Sequence, residues 1–215
     1  MSTRRIFLLN ILIFIVVIVG GFIAYYFYNQ STLYLKTDNA KIAGQEIPIA
    51  SPVAGQLTQW NGTVGTTFDS GKAVGTVKLA NGKTATIPMP DKGTVVRNSA
   101  VTKEYVAPGS PLAYAYNLKD LWVTANIKET NISDVKVGQN VDVYVSAFPG
   151  VNIKGTIAQI GLATKSTFSL LPSSNDNANF TKVTQVIPVK ITLQGYQGIG
   201  LTPGMSATVR IHKNS

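Results

Sequence analysis

Three short motifs and one histidine in this 215-residue chain have the residue types that chemistry could use. Lys83 follows Asn81-Gly82 between two apolar runs, and a lysine on a hairpin tip can carry a covalently attached swinging cofactor. The same stretch, Gly82-Lys83-Thr84, resembles the end of a phosphate-binding loop. That pattern needs a glycine at position 77, where Val77 stands, and a following helix, where Thr84-Ala85-Thr86-Ile87 reads as strand. Ser133-x-x-Lys136 has the spacing of serine acyl-transfer enzymes, but no Ser-Asp-Asn follows it. His212 falls on the polar side of an alternating strand near the end of the chain and is expected at the surface. Cysteine is absent, which excludes disulfides, thiolate metal sites and a cysteine nucleophile. No catalytic, cofactor-binding or metal site is expected, and the chain is not read as an enzyme.

The elements that carry these residues are mostly strands. Charged residues make up 13 % of the chain, against roughly 25 % in an average globular protein, so disorder is excluded. The 19 glycines and 10 prolines point to many turns and short strands. The net charge is +9, yet the only adjacent basic pair is Arg4-Arg5 and no basic helix or arm stands out. Nucleic acid is therefore not an expected partner.

Residues 6–28 are uncharged and apolar apart from Asn10. At about 1.5 Å per residue they reach roughly 34 Å as a helix, enough for a hydrocarbon core of about 30 Å. The run is longer than a signal-peptide core and ends in the bulky Tyr25-Tyr26-Phe27-Tyr28. With Arg4 and Arg5 before it and an uncharged flank after it, residues 1–5 are expected as a cytoplasmic tail and 6–28 as a transmembrane helix. A linker, 29–44, would then lead to an extracytoplasmic body.

That body begins with an internal repeat. At a gapless offset of 38, Pro52, Gly55, Leu57, Phe68, Gly71 and Val74 meet Pro90, Gly93, Val95, Val106, Gly109 and Leu112. Each copy is too short to bury a core alone, so two copies packed face to face are expected to form one small sandwich. Asn81-Gly82 predicts a plain hairpin between them. Beyond Tyr116, strands are predicted over 121–127, 141–145, 151–160, 183–193 and 205–212, with a short helix over 129–137. Pro188 suggests that the fourth of these is an edge. Five strands and one helix suit a small β-barrel. The polar insertion 164–182 contains Phe168, Leu170 and Leu171, read either as folding back over a barrel end or as a partner contact.

The order of a single span, TDNAKIAGQEIPIASPVAGQL, a split repeat and a barrel resembles HlyD/EmrA-type membrane fusion proteins. The most specific stretches are LKDLWVTANIKETNISDVKVGQNVDV (118–143), FSLLPSSNDNANFTKVTQVIPVKI (168–191) and LTPGMSATVRI (201–211). The resemblance implies a mainly β fold: a lipoyl-like barrel-sandwich hybrid domain over 45–116 and a β-barrel domain over 117–215. It also implies an adaptor in a multidrug efflux or secretion system, single-pass in the cytoplasmic membrane and homo-oligomeric as trimers or hexamers. Its partner would be an inner-membrane transporter, with the major-facilitator type favoured and the ABC type left open. Related proteins often insert a long coiled-coil hairpin between the repeat halves. Here ten residues, 78–87, separate Val77 from Pro88, so a helical hairpin reaching an outer-membrane duct is not expected. The alternative reading is a membrane-anchored module that binds cell-wall polymer or a secreted protein.

Overall fold

The computed structural model describes residues 3–163 and 184–213. Helix α1 (Thr3–Leu33) leads directly into strand β1 (Tyr34–Ala50). There follow β2 (Gly55–Trp60), β3 (Thr67–Phe68), β4 (Ala73–Lys78), β5 (Thr84–Pro88), β6 (Gly93–Asn98), β7 (Tyr105–Val106) and β8 (Pro111–Lys128). A 3-10 turn, Glu129–Asp134, precedes β9 (Asn140–Val145), β10 (Asn152–Ile160), β11 (Val186–Gln194) and β12 (Ser206–His212). The chain divides into two compact units, one of residues 1–40, 125–191 and 208–215 and the other of 41–124 and 192–207.

The first unit holds α1 and most of a β-barrel. In α1 the burial of residues 11–26 and Leu33 is described: residues 11–26 are all exposed and Leu33 is half-buried. Phe14, Val16, Val17 and Phe22 are among the exposed residues, so the helix is apolar all round, with no polar face for water. Among the described residues no helix is long and apolar enough to cross a membrane. Six strands close on themselves in the order β1-β12-β9-β10-β11-β8, with β8 pairing back to β1. Closure leaves the ring without an open edge. Ala125, Ile127, Val141, Val143, Ile157, Val189 and Val209 are buried in this unit.

Four expectations change here. The sixth barrel strand is β1, which starts at Tyr34 inside the stretch expected as a linker. Its buried residues Leu35, Ala40, Ile42, Ile47 and Ile49 are spaced 5, 2, 5 and 2. An odd interval moves the next residue to the other face of a regular strand, so no simple alternation marks β1. The strand expected over 121–127 is the end of the longer β8. The short helix expected over 129–137 is present but is a 3-10 helix limited to Glu129–Asp134. Finally, β11 is not an edge: it lies between β10 and β8. Pro188 fits there because its carbonyl accepts the Gly161 N–H at 2.8 Å, a bond that needs no donor from proline.

The second unit is the sandwich. One sheet runs β5-β4-β2-β7, and β3-β6-β8 lies on the other side. Leu57, Val74, Val77, Ile87, Val95, Leu112, Ala113 and Ala115, drawn from both repeat copies, share one core with Ile47 and Ile49. The repeat is carried into the backbone residue for residue. β2, β3 and β4 begin at 55, 67 and 73, and β6, β7 and β8 begin 38 residues later at 93, 105 and 111. β2 pairs with β4 through Gln56↔Lys78, Leu57↔Val77, Gln59↔Thr76 and Trp60↔Gly75. β6 pairs with β8 through Thr94↔Tyr116, Val95↔Ala115, Arg97↔Tyr114 and Asn98↔Ala113, with the register shift at the matching place. Each short strand crosses to the other copy: β7 pairs with β2, and β3 with β6. Even single turns match, since Gly65 N–H donates to Val95 O and Lys103 N–H to Leu57 O. The halves are related by a local pseudo-twofold, and each completes the other's sheet. Between them, β4 and β5 form the expected hairpin, closed by the Leu79 N–H to Lys83 O bond of 2.8 Å.

Candidate functional site

Of the motifs singled out in the sequence, none assembles into a reactive centre. Lys83 is exposed on the hairpin turn, where its N–H donates to Asn81 Oδ1 at 3.0 Å. Ser133 and Lys136 are both exposed, and no hydrogen bond joins them. No metal-binding group of three or more acidic or histidine side chains exists among the described residues. Phe168, Leu170 and Leu171 fall within 164–183, outside the described residues.

His212 departs from the solvated surface histidine expected of it. It joins a cluster around Asp142, which is 1 % exposed in the barrel unit. Register explains the cluster. β9 lies between β10 and β12, and Lys154 on β10 stands directly opposite Asp142. Arg210 and His212 are two apart on β12 and so share a face. Lys154 Nζ reaches Asp142 Oδ1 at 2.6 Å, and Arg210 Nη2 and His212 Nε2 reach Oδ2 at 2.8 and 2.9 Å. Asn152 Nδ2 adds a bond of 3.3 Å. Burial alone would raise the Asp142 carboxyl. The hydrogen bonds from Lys154, Arg210, His212 and Asn152 outweigh it and hold the group well below the usual carboxylate range. Arg210 also lies over the Tyr34 ring at 4.7 Å, and Tyr34 meets His212 edge-on at 4.9 Å. Tyr34 is the first residue after α1, and the Lys213 N–H donates to Leu33 O at 2.9 Å. The cluster therefore locks the helix exit to the barrel. The sequence signal was available: an aspartate among alternating valines, matched by a basic pair on a second alternating strand.

The sandwich unit carries a second feature that motif reading missed, an open cleft of about 710 Å³. Its wall is the β6–β8 pair. Arg97 and Tyr114 stand opposite each other across the strands, with the guanidinium 4.3 Å from the ring centroid. Tyr116, opposite Thr94, donates its hydroxyl to Glu46 Oε2 at 2.8 Å. Burial pushes the Tyr116 phenol up, and the Glu46 hydrogen bond adds to this. Lys41 and Ile42 from β1, Val64 and Gly65 from the turn after β2, and the Thr202-Pro203-Gly204 turn complete the lining. Gly44 must be small here, since a Cβ would come within 2.8 Å of Leu121 and 3.2 Å of Tyr116. The arrangement pairs one hydroxyl, that of Tyr116, with one carboxylate, that of Glu46. It offers aromatic faces and cationic groups, which are suited to binding.

The two units, a closed six-stranded barrel and a sandwich of two intertwined half-motifs, have a fold shared with solved membrane fusion proteins. Comparison with known proteins agrees. Residues 120–215 match the CusB-like β-barrel domain family. YhbJ of Bacillus subtilis, named as a component of an efflux system, is 42 % identical over 211 residues, covering 98 % of this chain and 94 % of that protein. The multidrug export protein EmrA of Escherichia coli is 34 % identical over 109 residues, covering 50 % of this chain and 28 % of EmrA. In fold, the membrane fusion protein Spr0693 from Streptococcus pneumoniae superposes with a TM-score of 0.59 at 15 % identity, covering 85 % of this chain and all of that one. The chain belongs to the HlyD/EmrA-type membrane fusion proteins, in a short form that joins its two sandwich halves by a plain hairpin.

Proposed function

We propose that this chain is the membrane-anchored adaptor of an efflux or secretion transporter and extends the export path beyond the cytoplasmic membrane. The observation that carries this reading is the match to YhbJ along almost the whole of both chains. α1 is the proposed anchor, with its N-terminus inside. Its support is the uncharged stretch 6–28 and the exposure of every described apolar side chain from Ile11 to Tyr26. Because α1 runs into β1 without a break, the barrel would stand at the membrane surface. The proposed partner is a major-facilitator transporter or, failing that, an ABC transporter. Several copies, three or six, would form a ring over its exit. Phe168, Leu170 and Leu171 are the proposed contact with the transporter or a neighbouring copy. The chain supplies geometry, and the transporter supplies energy.

The test is affinity purification of the full chain from its host membranes in mild detergent after brief crosslinking. A multi-span transporter should co-purify, and deleting the adaptor should raise sensitivity to that transporter's substrates. Recovery of the chain without any transporter, together with unchanged sensitivity, would overturn the proposal.

A further inference from the structure

The pseudo-twofold makes each half of the sandwich an internal control for the other. Arg97, Tyr114 and Tyr116 form the wall of the cleft, and their twins 38 residues earlier are Gln59, Thr76 and Lys78. The strand pairing is the same in both halves. The backbone therefore does not require an aromatic wall at these positions.

A second asymmetry is seen on the 99–105 turn. Val101 and Tyr105 are 53 % and 83 % exposed, and Glu104 between them is exposed and forms no ion pair among the described residues. Their twins are Thr63, Thr66 and Thr67, three small neutral residues. Thr63 and Thr66 bond each other through their hydroxyls at 2.8 Å, and Thr67 bonds Thr94 at 2.8 Å. In the first copy this turn bonds its threonines and sets a single exposed apolar residue, Val64, at the edge of the cleft. In the second copy it projects apolar surface and an unpaired acid.

We propose that these two departures from symmetry are the two sides of one contact between copies of this chain: the Val101–Glu104–Tyr105 turn of one copy seats in the Arg97–Tyr114–Tyr116 cleft of the next. Charge selects this occupant. Among the described residues Arg97 and Lys41 form no ion pair, and the one carboxylate lining the cleft, Glu46, already accepts from Tyr116. The Arg97 guanidinium carbon lies over the Tyr114 ring, 4.3 Å from its centroid, and a guanidinium held there can still donate to a carboxylate. Tyr105 supplies an apolar body of matching kind for the tyrosine wall. Knob and cleft occupy different, twofold-related parts of the sandwich, so the contact is head-to-tail. A repeated head-to-tail contact closes into a ring when its rotation allows. This deepens the ring reading given above and rests on it.

The test is charge reversal in the full chain, purified in mild detergent and followed by native mass spectrometry and sedimentation velocity. Arg97→Glu and Glu104→Arg should each weaken assembly at least tenfold, and the double reversal should restore most of it. Val64→Cys with Val101→Cys should give disulfide-linked ladders of more than two copies. Single reversals that assemble like the wild type, or a double reversal no better than the worse single, would overturn this interface. Wild-type assembly in those cases would leave the ring reading standing. A wild-type chain that stays monomeric at every concentration would overturn both.

Discussion

The two halves of the sandwich share one backbone and differ in what they put on it. Half one closes its core with Trp60, whose indole N–H donates to Gly62 O at 3.2 Å. A Cβ at Gly62 or Gly75 would come within 2.8 Å of that ring. In half two, Asn98 replaces the tryptophan, and Ala100 and Ala113 stand where the glycines were. Gly62 is therefore tied chiefly to the indole, whereas Gly75 also faces the Gln59 carbonyl oxygen, 2.7 Å from where a Cβ would sit. Gly55 and Gly93 are glycine in both halves, because each backs onto the neighbouring strand, at Lys78 O and Tyr116 O. Residues that agree between the halves hold the fold, and residues that differ are free for local packing or for contacts.

The largest expected effect tests the shared positions. Gly55→Ala would place a Cβ 2.4 Å from the Lys78 carbonyl oxygen, which must move a strand. A loss of about 3 kcal/mol or more is expected by thermal or urea unfolding. Gly93→Ala, with nearest contacts of 3.1–3.2 Å, should cost about 1 kcal/mol. Equal losses would break the comparison, since backbone clearance would then not be the cause.

The barrel unit offers a contrast, because one of its key bonds is ionic. Asp142→Asn leaves Lys154 and Arg210 facing a neutral amide and should cost about 3 kcal/mol at neutral pH. The folded Asp142 carboxyl is held below its unfolded value of about 3.9, so its contribution is complete above about pH 5 and fades as the pH falls below about 4. The gap between wild type and variant should therefore start to narrow below about pH 4 and be only partly closed at pH 3, where the folded carboxylate is still ionised, read by urea unfolding at each pH. A gap that widens on acidification would show that another group governs the acid limb.

A smaller effect is expected at the indole. Gly62→Ala should cost about 2 kcal/mol in the wild type, and clearly less when Trp60→Asn is already present. A double-mutant cycle reads the coupling directly, and its absence would detach the glycine from the tryptophan. The smallest concerns Lys103, whose φ is +74°, where its twin Gly65 has +91°. Lys103→Gly relieves a left-handed side chain but loosens the unfolded chain, for a net gain of about 0.5 kcal/mol. A loss of stability would mean that the lysine side chain makes up for its strain.

The repeat was legible because glycine, proline and apolar positions recur at one constant offset, and those residues are the ones backbone geometry restricts. The alternations in β9 and β12 were legible because period 2 survives wherever a strand buries a single face. By themselves, the residues determined an apolar N-terminal segment, two interlocking half-motifs joined by a hairpin, and a strand-rich remainder. The tertiary structure alone decided that β1 completes the barrel, that Pro188 sits between two neighbours, and that Asp142 gathers its cations. It also decided that Arg97, Tyr114 and Tyr116 wall one cleft. The physical reason is the range of the forces involved. Turn and strand preferences act over a few residues and leave a local trace, whereas an ion cluster or a cleft wall joins side chains tens of residues apart and exists only once strand register has been set.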